Sequence, residues 1–575
     1  MWQGQLESQL ARQSLHLNAA IIVTLFVVMH ILLHRFSLPK HRKNKPDGYY
    51  KTLTKLPAAF TVTIVGALSF TAILYFTDLY TNQAYSELPA VEDYQYSYGP
   101  HPFKPSLTTT EQQKFIDIKA LNNSDKCAIC HADIAMQWQA SAHRQAASDK
   151  SYETNVTLLT QKKGIAATRY CEGCHAPLAL LSGELSEGGT HGGVDDSIAN
   201  REGVNCQSCH GISDIVNTKG VASYHMSIPS PYLFETSDNL LLKQLNLYLI
   251  RLSPQQHRKD MNAPIISDSS YCASCHAQFI DRDVNDWGWI QMQDEYSAWL
   301  GSPFSGGDDP KFAASKKQRC QDCHMPLVPA DDPSANSESM VRDHRFIAAN
   351  TMLPTLNGDK KHLQLTKDFL QANKVQITID PPARKKATES AMRLNESLRS
   401  ISIQPHYYYR GETAQLKVIV SNTGVGHNFP GGTVDINQVW IELSVVDAEG
   451  IEIYSNGNVN KQGILDHDAY QYRSIPVDRK GNHVWQHDLF NMVGKSSMNV
   501  IKAGESDVVD YQFVLPYWVK GPISVSAVVK YRKFNTRYAK WALQEEYQAL
   551  PIVDMARAFL TIPVRTQIEA TDNYQ

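Results

Sequence analysis

Two long apolar runs stand near the amino terminus. Residues 15–33 and 56–76 contain no acidic residue, lysine or arginine. As helices with ~1.5 Å rise per residue, both are long enough to cross a hydrocarbon core of about 30 Å. They predict a two-helix transmembrane hairpin over residues 1–80. The alternatives are a cleaved signal peptide, which needs basic residues before its apolar run, and cleavage after the second helix.

The charges around these runs predict their orientation. Residues 35–55 are rich in Lys and Arg, and Asp47 is the one acidic residue among them. Because basic loops stay in the cytoplasm, both termini and the rest of the chain are expected on the opposite side of the membrane.

The remaining pattern separates three regions. Residues 81–126 show little periodicity and predict an extended connector, and residues 127–364 predict short helices with irregular links and little β-structure. From residue 365 apolar and polar positions alternate, which predicts strands at 415–421, 438–446, 507–514 and 523–531 and a turn at 447–450. Residues 536–560 are expected to form a helix before a last extended segment. We expect an immunoglobulin-like β-sandwich over residues 365–575.

The ten cysteines all belong to one pattern, Cys-x-x-Cys-His, which occurs five times. Its members are Cys127, Cys130 and His131; Cys171, Cys174 and His175; Cys206, Cys209 and His210; Cys272, Cys275 and His276; and Cys320, Cys323 and His324. In this pattern two thiols bond covalently to a haem and the histidine ligates its iron. The sequence thus predicts five c-type haems and a pentahaem cytochrome domain over residues 127–364.

Other uses of paired cysteines explain the pattern less well. A zinc half-site, a redox dithiol and a disulfide framework do not require a histidine directly after the second cysteine. Covalent haem attachment takes place on the export side of the bacterial inner membrane. The haem region is therefore expected in the periplasm, which agrees with the orientation predicted from the charges.

Each iron needs a sixth ligand or keeps an open position, and further histidines are available. His143 follows His131 along a stretch with good helix formers. Twelve residues of helix span ~18 Å, whereas the two axial ligands of one iron lie on opposite faces about 4 Å apart. His143 is therefore expected to ligate a neighbouring haem.

Several short segments resemble bacterial multihaem c-type cytochromes that are anchored in membranes, the class related to cytochrome c-554. These segments are residues 137–143, 249–257, 285–302, 344–350 and 426–433. The resemblance extends over about residues 125–445 and implies electron transfer.

The resemblance also implies which histidines are the distal ligands. They are His143, His257, His344 and His427. Related sequences often carry a histidine soon after the third motif, where this chain reads Gly211-Ile-Ser-Asp-Ile-Val-Asn. For the fifth distal ligand we expect His225, with His191 and an open haem as alternatives.

Three functions remain open. The first is a periplasmic electron conduit between a membrane donor, quinol or a partner subunit, and a periplasmic acceptor. The second is a haem enzyme that acts on a small nitrogen or sulfur species at one open haem, and in the third the sandwich docks a reductase. The expected partners are the inner membrane, redox proteins and a quinone. The net charge of −3 gives no support for nucleic-acid binding.

Overall fold

The computed structural model describes most of the chain after residue 96. The described residues are 64–69, 72, 97–111, 113–184, 197–237, 239–306, 317–380 and 406–566. The chain divides into two units. The first comprises residues 1–86 and 229–258, and the second comprises residues 87–228 and 259–575.

Most of the described helices are short. Their bounds are Ile118–Leu121, Ser124–Ala128, Ala132–Gln139, Lys150–Lys163, Arg169–His175, Pro177–Ser182, Ile198–Glu202, Cys206–His210, Leu240–Leu252, Pro254–Met261, Ser269–His276, Arg282–Asn285, Glu295–Leu300, Cys320–His324, Met352–Leu356, Lys360–Gln371 and Thr536–Leu543.

The described strands are shorter before residue 365 than after it. They are Thr109–Thr110, Ile212–Ile215, Tyr224–Met226, Ala277–Ile280, Ile290–Asp294, Leu327–Pro329, Met340–Arg342, Val375–Asp380, Tyr408–Tyr409, Thr413–Asn422, Gln438–Val446, Glu452–Asn456, Gln471–Tyr472, Ser474–Val477, Gly494–Met498, Ser506–Val514, Ile523–Arg532, Val553–Ile562 and Val564–Arg565.

The transmembrane hairpin is the part of the predicted fold class that the structure overturns. Along the residues listed above as described, no helix has both the length and the apolar character that a membrane crossing requires. The first apolar run and the basic loop lie outside the described residues, and helix is described in the second run over 64–69 and at 72. The fold class is corrected to a helical cytochrome-like region followed by many β-strands.

The first unit is described mainly through one apolar helix, Leu240–Leu252. Asn239 caps its amino terminus by accepting a hydrogen bond from the backbone N–H of Leu241 at 2.9 Å. In this helix Leu240 and Leu241 are exposed. The same unit contains His257, whose Nδ1 lies 3.2 Å from the Tyr232 hydroxyl.

Helices carry both cysteines in the last four motifs, whereas in the first the helix Ser124–Ala128 contains Cys127 and a turn contains Cys130. In the third motif, the Asn205 side chain accepts from the backbone N–H of Ser208 at 2.8 Å. In the fourth, Asp268 accepts from the N–H of Ser270 at 2.8 Å. Residues three and four apart share one face of a helix, so both cysteines and the histidine of such a turn can reach the same haem.

The haem region contains little β-structure, as expected, and most of it follows the last three motifs. Antiparallel strand pairs follow the last three motifs directly: Ile212–Ile215 with Tyr224–Met226, Ala277–Ile280 with Ile290–Asp294, and Leu327–Pro329 with Met340–Arg342. Each pair satisfies backbone hydrogen bonds where the chain leaves a motif helix, a place where unpaired groups would be costly.

The predicted connector is partly folded into the second unit. Phe103 and Leu121 are buried in one core with Leu178, Leu180 and Tyr224. The short strand Thr109–Thr110 also pairs in parallel with His225 and Met226. Residues 97–126 therefore belong to the haem region, because their few large apolar side chains complete its core.

The C-terminal strands match the alternation closely. The four predicted strands are confirmed as Thr413–Asn422, Gln438–Val446, Ser506–Val514 and Ile523–Arg532. Their inward side chains, among them Val418, Ile441 and Val525, form one core. The helix predicted over 536–560 is wrong in its second half, since it ends as Thr536–Leu543 and the chain continues into the strand Val553–Ile562.

Two antiparallel sheets face each other across this core. One has the strand order Val375–Asp380, Thr413–Asn422, Ser506–Val514. The other runs from Glu452–Asn456 through Gln438–Val446 and Ile523–Arg532 to Val553–Ile562. Among the described residues, the first sheet has three strands and the second has five, because Gln471–Tyr472 also pairs with Gln438–Val446.

The sandwich and the haem region share an interface inside the second unit. Asn155 donates a hydrogen bond to the Tyr538 hydroxyl at 2.6 Å, and Thr154 donates to the carbonyl of Ala542 at 2.8 Å. The Tyr531 hydroxyl donates to the carbonyl of Ala349 at 2.6 Å. The predicted domain boundary at residue 365 falls inside the helix Lys360–Gln371, which packs against a sandwich strand.

Candidate haem-binding region

The order of the five motifs in space differs from their order in the sequence. The thiol of Cys206 in the third motif interacts with that of Cys127 in the first. The fourth motif meets the third, since the Tyr271 hydroxyl donates to the carbonyl of Cys209 at 3.0 Å. The first, third and fourth motifs therefore form a continuous row.

The second and fifth motifs both adjoin the fourth. The Cys275 thiol interacts with that of Cys174, and the Cys272 thiol interacts with that of Cys320. The backbone N–H of Cys320 also donates to the Ser269 hydroxyl at 3.3 Å. The fourth motif is thus a junction with three neighbouring motifs.

Two predicted distal histidines face the histidines of other motifs. The ring centres of His143 and His276 are 6.1 Å apart, and those of His344 and His210 are 6.4 Å apart. Because a metal–imidazole bond is about 2 Å long, two imidazoles on opposite sides of one ion have ring centres roughly 6 Å apart. These spacings fit an iron between each pair, and they place His143 with the fourth motif rather than with its neighbour in sequence.

Many of these imidazoles have a hydrogen-bond acceptor at Nδ1. His210 lies 2.6 Å from the carbonyl of Met261, and His324 lies 3.0 Å from that of Ile347. His344 and His427 make similar contacts with the carbonyls of Arg342 and Asn428, at 2.8 and 2.9 Å. A proton on Nδ1 leaves Nε2 as the ligating atom, which is the arrangement that orients histidine ligands in metal sites.

Burial keeps the predicted ligands neutral. It lowers the pKa of His143 to about 3, assisted by the nearby His276, and the pKa values of His324 and His344 to about 4. Neutral imidazole is the form that binds a metal. These three histidines are therefore already in the form that can ligate haem iron, and none of them has to lose a proton first.

His427, which belongs to the sandwich, lies near the haem region. It is close enough to interact electrostatically with His324 and His276. The loop that carries it is also held by the backbone N–H of Gly432, which donates to Glu295 at 2.6 Å. The structure thus brings His427 near the fourth and fifth motifs.

The other predicted distal ligands have different surroundings. Nδ1 of His225 lies 3.0 Å from the Thr109 hydroxyl, and His257 contacts Tyr232 in the first unit. Neither of these contacts involves a motif histidine. His191 lies outside the described residues. The distal roles of His225 and His257 stay predictions.

One pair that the sequence analysis did not single out is His487 with Asp435. Nδ1 of His487 lies 2.7 Å from the Asp435 carboxylate. Both residues line a cavity that also contains His427, Glu295 and Lys495. No local motif marks this histidine, and its partner is distant in the sequence, so only the three-dimensional arrangement identifies it.

Comparison with known proteins assigns the chain to a class. A family model described as "Cytochrome c554 and c-prime" matches residues 126–211, which hold the first three motifs. The chain is a multihaem c-type cytochrome, and electron transfer is the function of that class. The particular resemblance expected from the sequence, to cytochrome c-554, is confirmed over those residues.

Similar solved structures include a penta-heme cytochrome c552 from Thermochromatium tepidum. It is 17% identical, with 76% of this chain and 98% of that chain covered and a TM-score of 0.47. A CARDB domain from Pyrococcus furiosus has 10% identity, coverage of 33% and 86%, and a TM-score of 0.14. The alkylpurine DNA glycosylase AlkC from Pseudomonas fluorescens has 9% identity, coverage of 37% and 41%, and a TM-score of 0.13. No curated protein matches the chain.

Proposed function

We propose that the chain carries one c-type haem at each of its five motifs and transfers electrons between a donor, quinol or a partner protein, and an acceptor in the bacterial periplasm. The observation that carries the proposal is the opposed pairs His143 with His276 and His210 with His344. Two protein ligands on an iron favour electron transfer over catalysis, since they leave no position for a substrate, and these two pairs would supply them at the third and fourth motifs.

The contiguous motifs support the same function. Each motif contacts another through a thiol or a hydrogen bond, and the row from the first to the fourth branches towards the second and fifth. Haems attached in this arrangement would lie close enough for an electron to enter at one motif and leave at another. The residues supply the attachment, the orientation of the imidazoles and the exclusion of water.

The proposal is tested first by the haem content and spin state of the full chain. A pyridine haemochrome assay is expected to give five haems per chain, and low-temperature EPR of the oxidised protein is expected to show low-spin iron. A smaller haem count, or high-spin iron at the third or fourth motif, would contradict it.

The EPR spectrum is also expected to contain two kinds of low-spin signal. The ring planes of His210 and His344 are 20° apart, whereas those of His143 and His276 are 65° apart. Nearly parallel imidazoles give a rhombic ferric spectrum, and steeply crossed imidazoles give a signal with a larger maximal g value. A spectrum with the rhombic type alone would show that the fourth motif has a different ligand geometry.

A second candidate function is catalysis on a small nitrogen or sulfur species at one open haem. The cavity near His427 favours it, because it holds several groups that can exchange protons. Burial raises the pKa of Glu295 and lowers that of Lys495, and His487 is oriented by Asp435. Such groups serve general acid–base catalysis. A high-spin EPR signal that shifts with nitrite, hydroxylamine or cyanide would favour this function.

A further inference from the structure

The histidines of the first, third and fourth motifs differ in the group that accepts a hydrogen bond from Nδ1. In the first motif, Nδ1 of His131 lies 2.9 Å from the carboxylate of Asp332, whose side chain is fully buried. In the third motif, the acceptors of His210 and His344 are backbone carbonyls. The series therefore begins with a charged acceptor and continues with neutral ones.

The carboxylate of Asp332 is held in place by further hydrogen bonds. Ser334 donates to the same oxygen that faces His131, from its hydroxyl at 2.6 Å and from its backbone N–H at 2.9 Å. Asp332 thus places a carboxylate in a fixed position at the back of the imidazole of the first motif.

His143, at the fourth motif, has the opposite surroundings. Its Nδ1 is buried and has no hydrogen-bond partner among the described residues. The ring of Phe346 packs on it instead, with centres 4.2 Å apart and planes 72° apart. Phe346 has a φ of 50°, a left-handed conformation that is rare for an aromatic residue, so the backbone at this position is strained.

These differences act on the iron through the imidazole. A hydrogen bond from Nδ1–H makes the ligating nitrogen more basic, and a charged acceptor makes that bond stronger than a neutral one does. A more basic ligand stabilises ferric iron and lowers the reduction potential. The charged acceptor should therefore lower the potential most, and the missing acceptor should leave it highest.

We propose that Asp332 gives the first motif the lowest reduction potential in the row, and that the unpaired Nδ1 of His143 gives the fourth motif the highest. This inference rests on the proposed function, because it assumes haem at these three motifs. The order favours electron movement from the first through the third towards the fourth, one ferrous iron being oxidised for each ferric iron reduced. The junction at the fourth motif would then collect electrons before they leave through the second or fifth.

The test is a spectroelectrochemical titration of the full-length holoprotein and three variants. Asp332→Asn keeps the shape of the side chain but removes its charge, and it is expected to raise the potential of the lowest component. Asp332→Glu restores a carboxylate and is expected to restore much of the shift. Asp554→Asn is the matched control, since Asp554 forms an ion pair with Lys530, also at 2.9 Å, inside the sandwich.

A second measurement needs no variant at Asp332. During reductive titration followed by EPR, the crossed-plane signal of the fourth motif is expected to disappear at a higher potential than the rhombic signal of the third. The reverse order would overturn the inference, and so would an Asp332→Asn protein with five low-spin haems and unshifted potentials. If the unmodified chain holds fewer than five haems, the proposed function fails instead, which the haem count reveals separately.

Discussion

Replacement of His143 by alanine is expected to convert one haem of the five from low-spin to high-spin. The His143 ring faces that of His276 at 6.1 Å and is buried. Alanine cannot ligate iron, and the buried position leaves no room for another side chain to replace the imidazole without repacking. The spin state is measured by EPR and by the long-wavelength charge-transfer band of the ferric protein.

Two controls make this result specific. His467→Ala removes an exposed histidine of the sandwich and should leave the spin state unchanged. Added imidazole should return the His143→Ala protein to its low-spin form, because it can enter the space that the substitution creates. If all haems stay low-spin in His143→Ala at full haem content, His143 is not a distal ligand.

Replacement of Trp440 by alanine is expected to lower the free energy of unfolding of the sandwich by about 3–5 kcal/mol. Trp440 has no exposed surface, and its indole N–H donates to the carbonyl of Gly457 at 2.9 Å. It lies in the strand Gln438–Val446, which pairs with three other strands. The loss combines a large cavity with an unpaired carbonyl, and denaturant unfolding measures it.

Two further substitutions separate these contributions. Trp440→Phe keeps an aromatic ring but removes the N–H donor, so a smaller loss of about 1–3 kcal/mol is expected. Trp518→Ala removes a side chain that is 56% exposed, and its effect should stay within about 0.5 kcal/mol. Equal losses for Trp440→Ala and Trp518→Ala would mean that the sandwich core does not limit stability.

The features that the sequence predicts well are local ones. The haem motifs are recognisable because the two thiols and the histidine must lie within one turn. The strand Gln438–Val446 has the predicted bounds because its β-branched residues and alternation favour an extended chain over this whole length. His143 could be excluded from the haem of its own motif for a similar reason, since the length of a helix is known from its residue count.

Long-range relations could not be predicted in this way. Nothing in the sequence indicates that the first motif adjoins the third, or that His143 faces His276. The strand pairs after the last three motifs were missed because strands of three to five residues are too short to show a period. The carboxylates beside His131 and His487 were missed since both come from distant segments.

The transmembrane prediction shows a different limit. Apolar length and flanking charge are averages over a window, and they identify a segment that could cross a membrane without fixing its structure. In the part of the chain that the structure describes, no helix is long and apolar enough to cross a membrane. Averaging over a window also led to the prediction that residues 97–126 belong to an extended connector. In the structure, Phe103 and Leu121 of this segment are buried in a core.

The order of the motifs in space has a consequence for biogenesis. In the growing chain His143 is made long before its partner His276, and Asp332 is made long after His131. Closing such long loops is slow and entropically costly. The early imidazoles therefore acquire their partners only after the fourth motif and the segment that follows the fifth have been made.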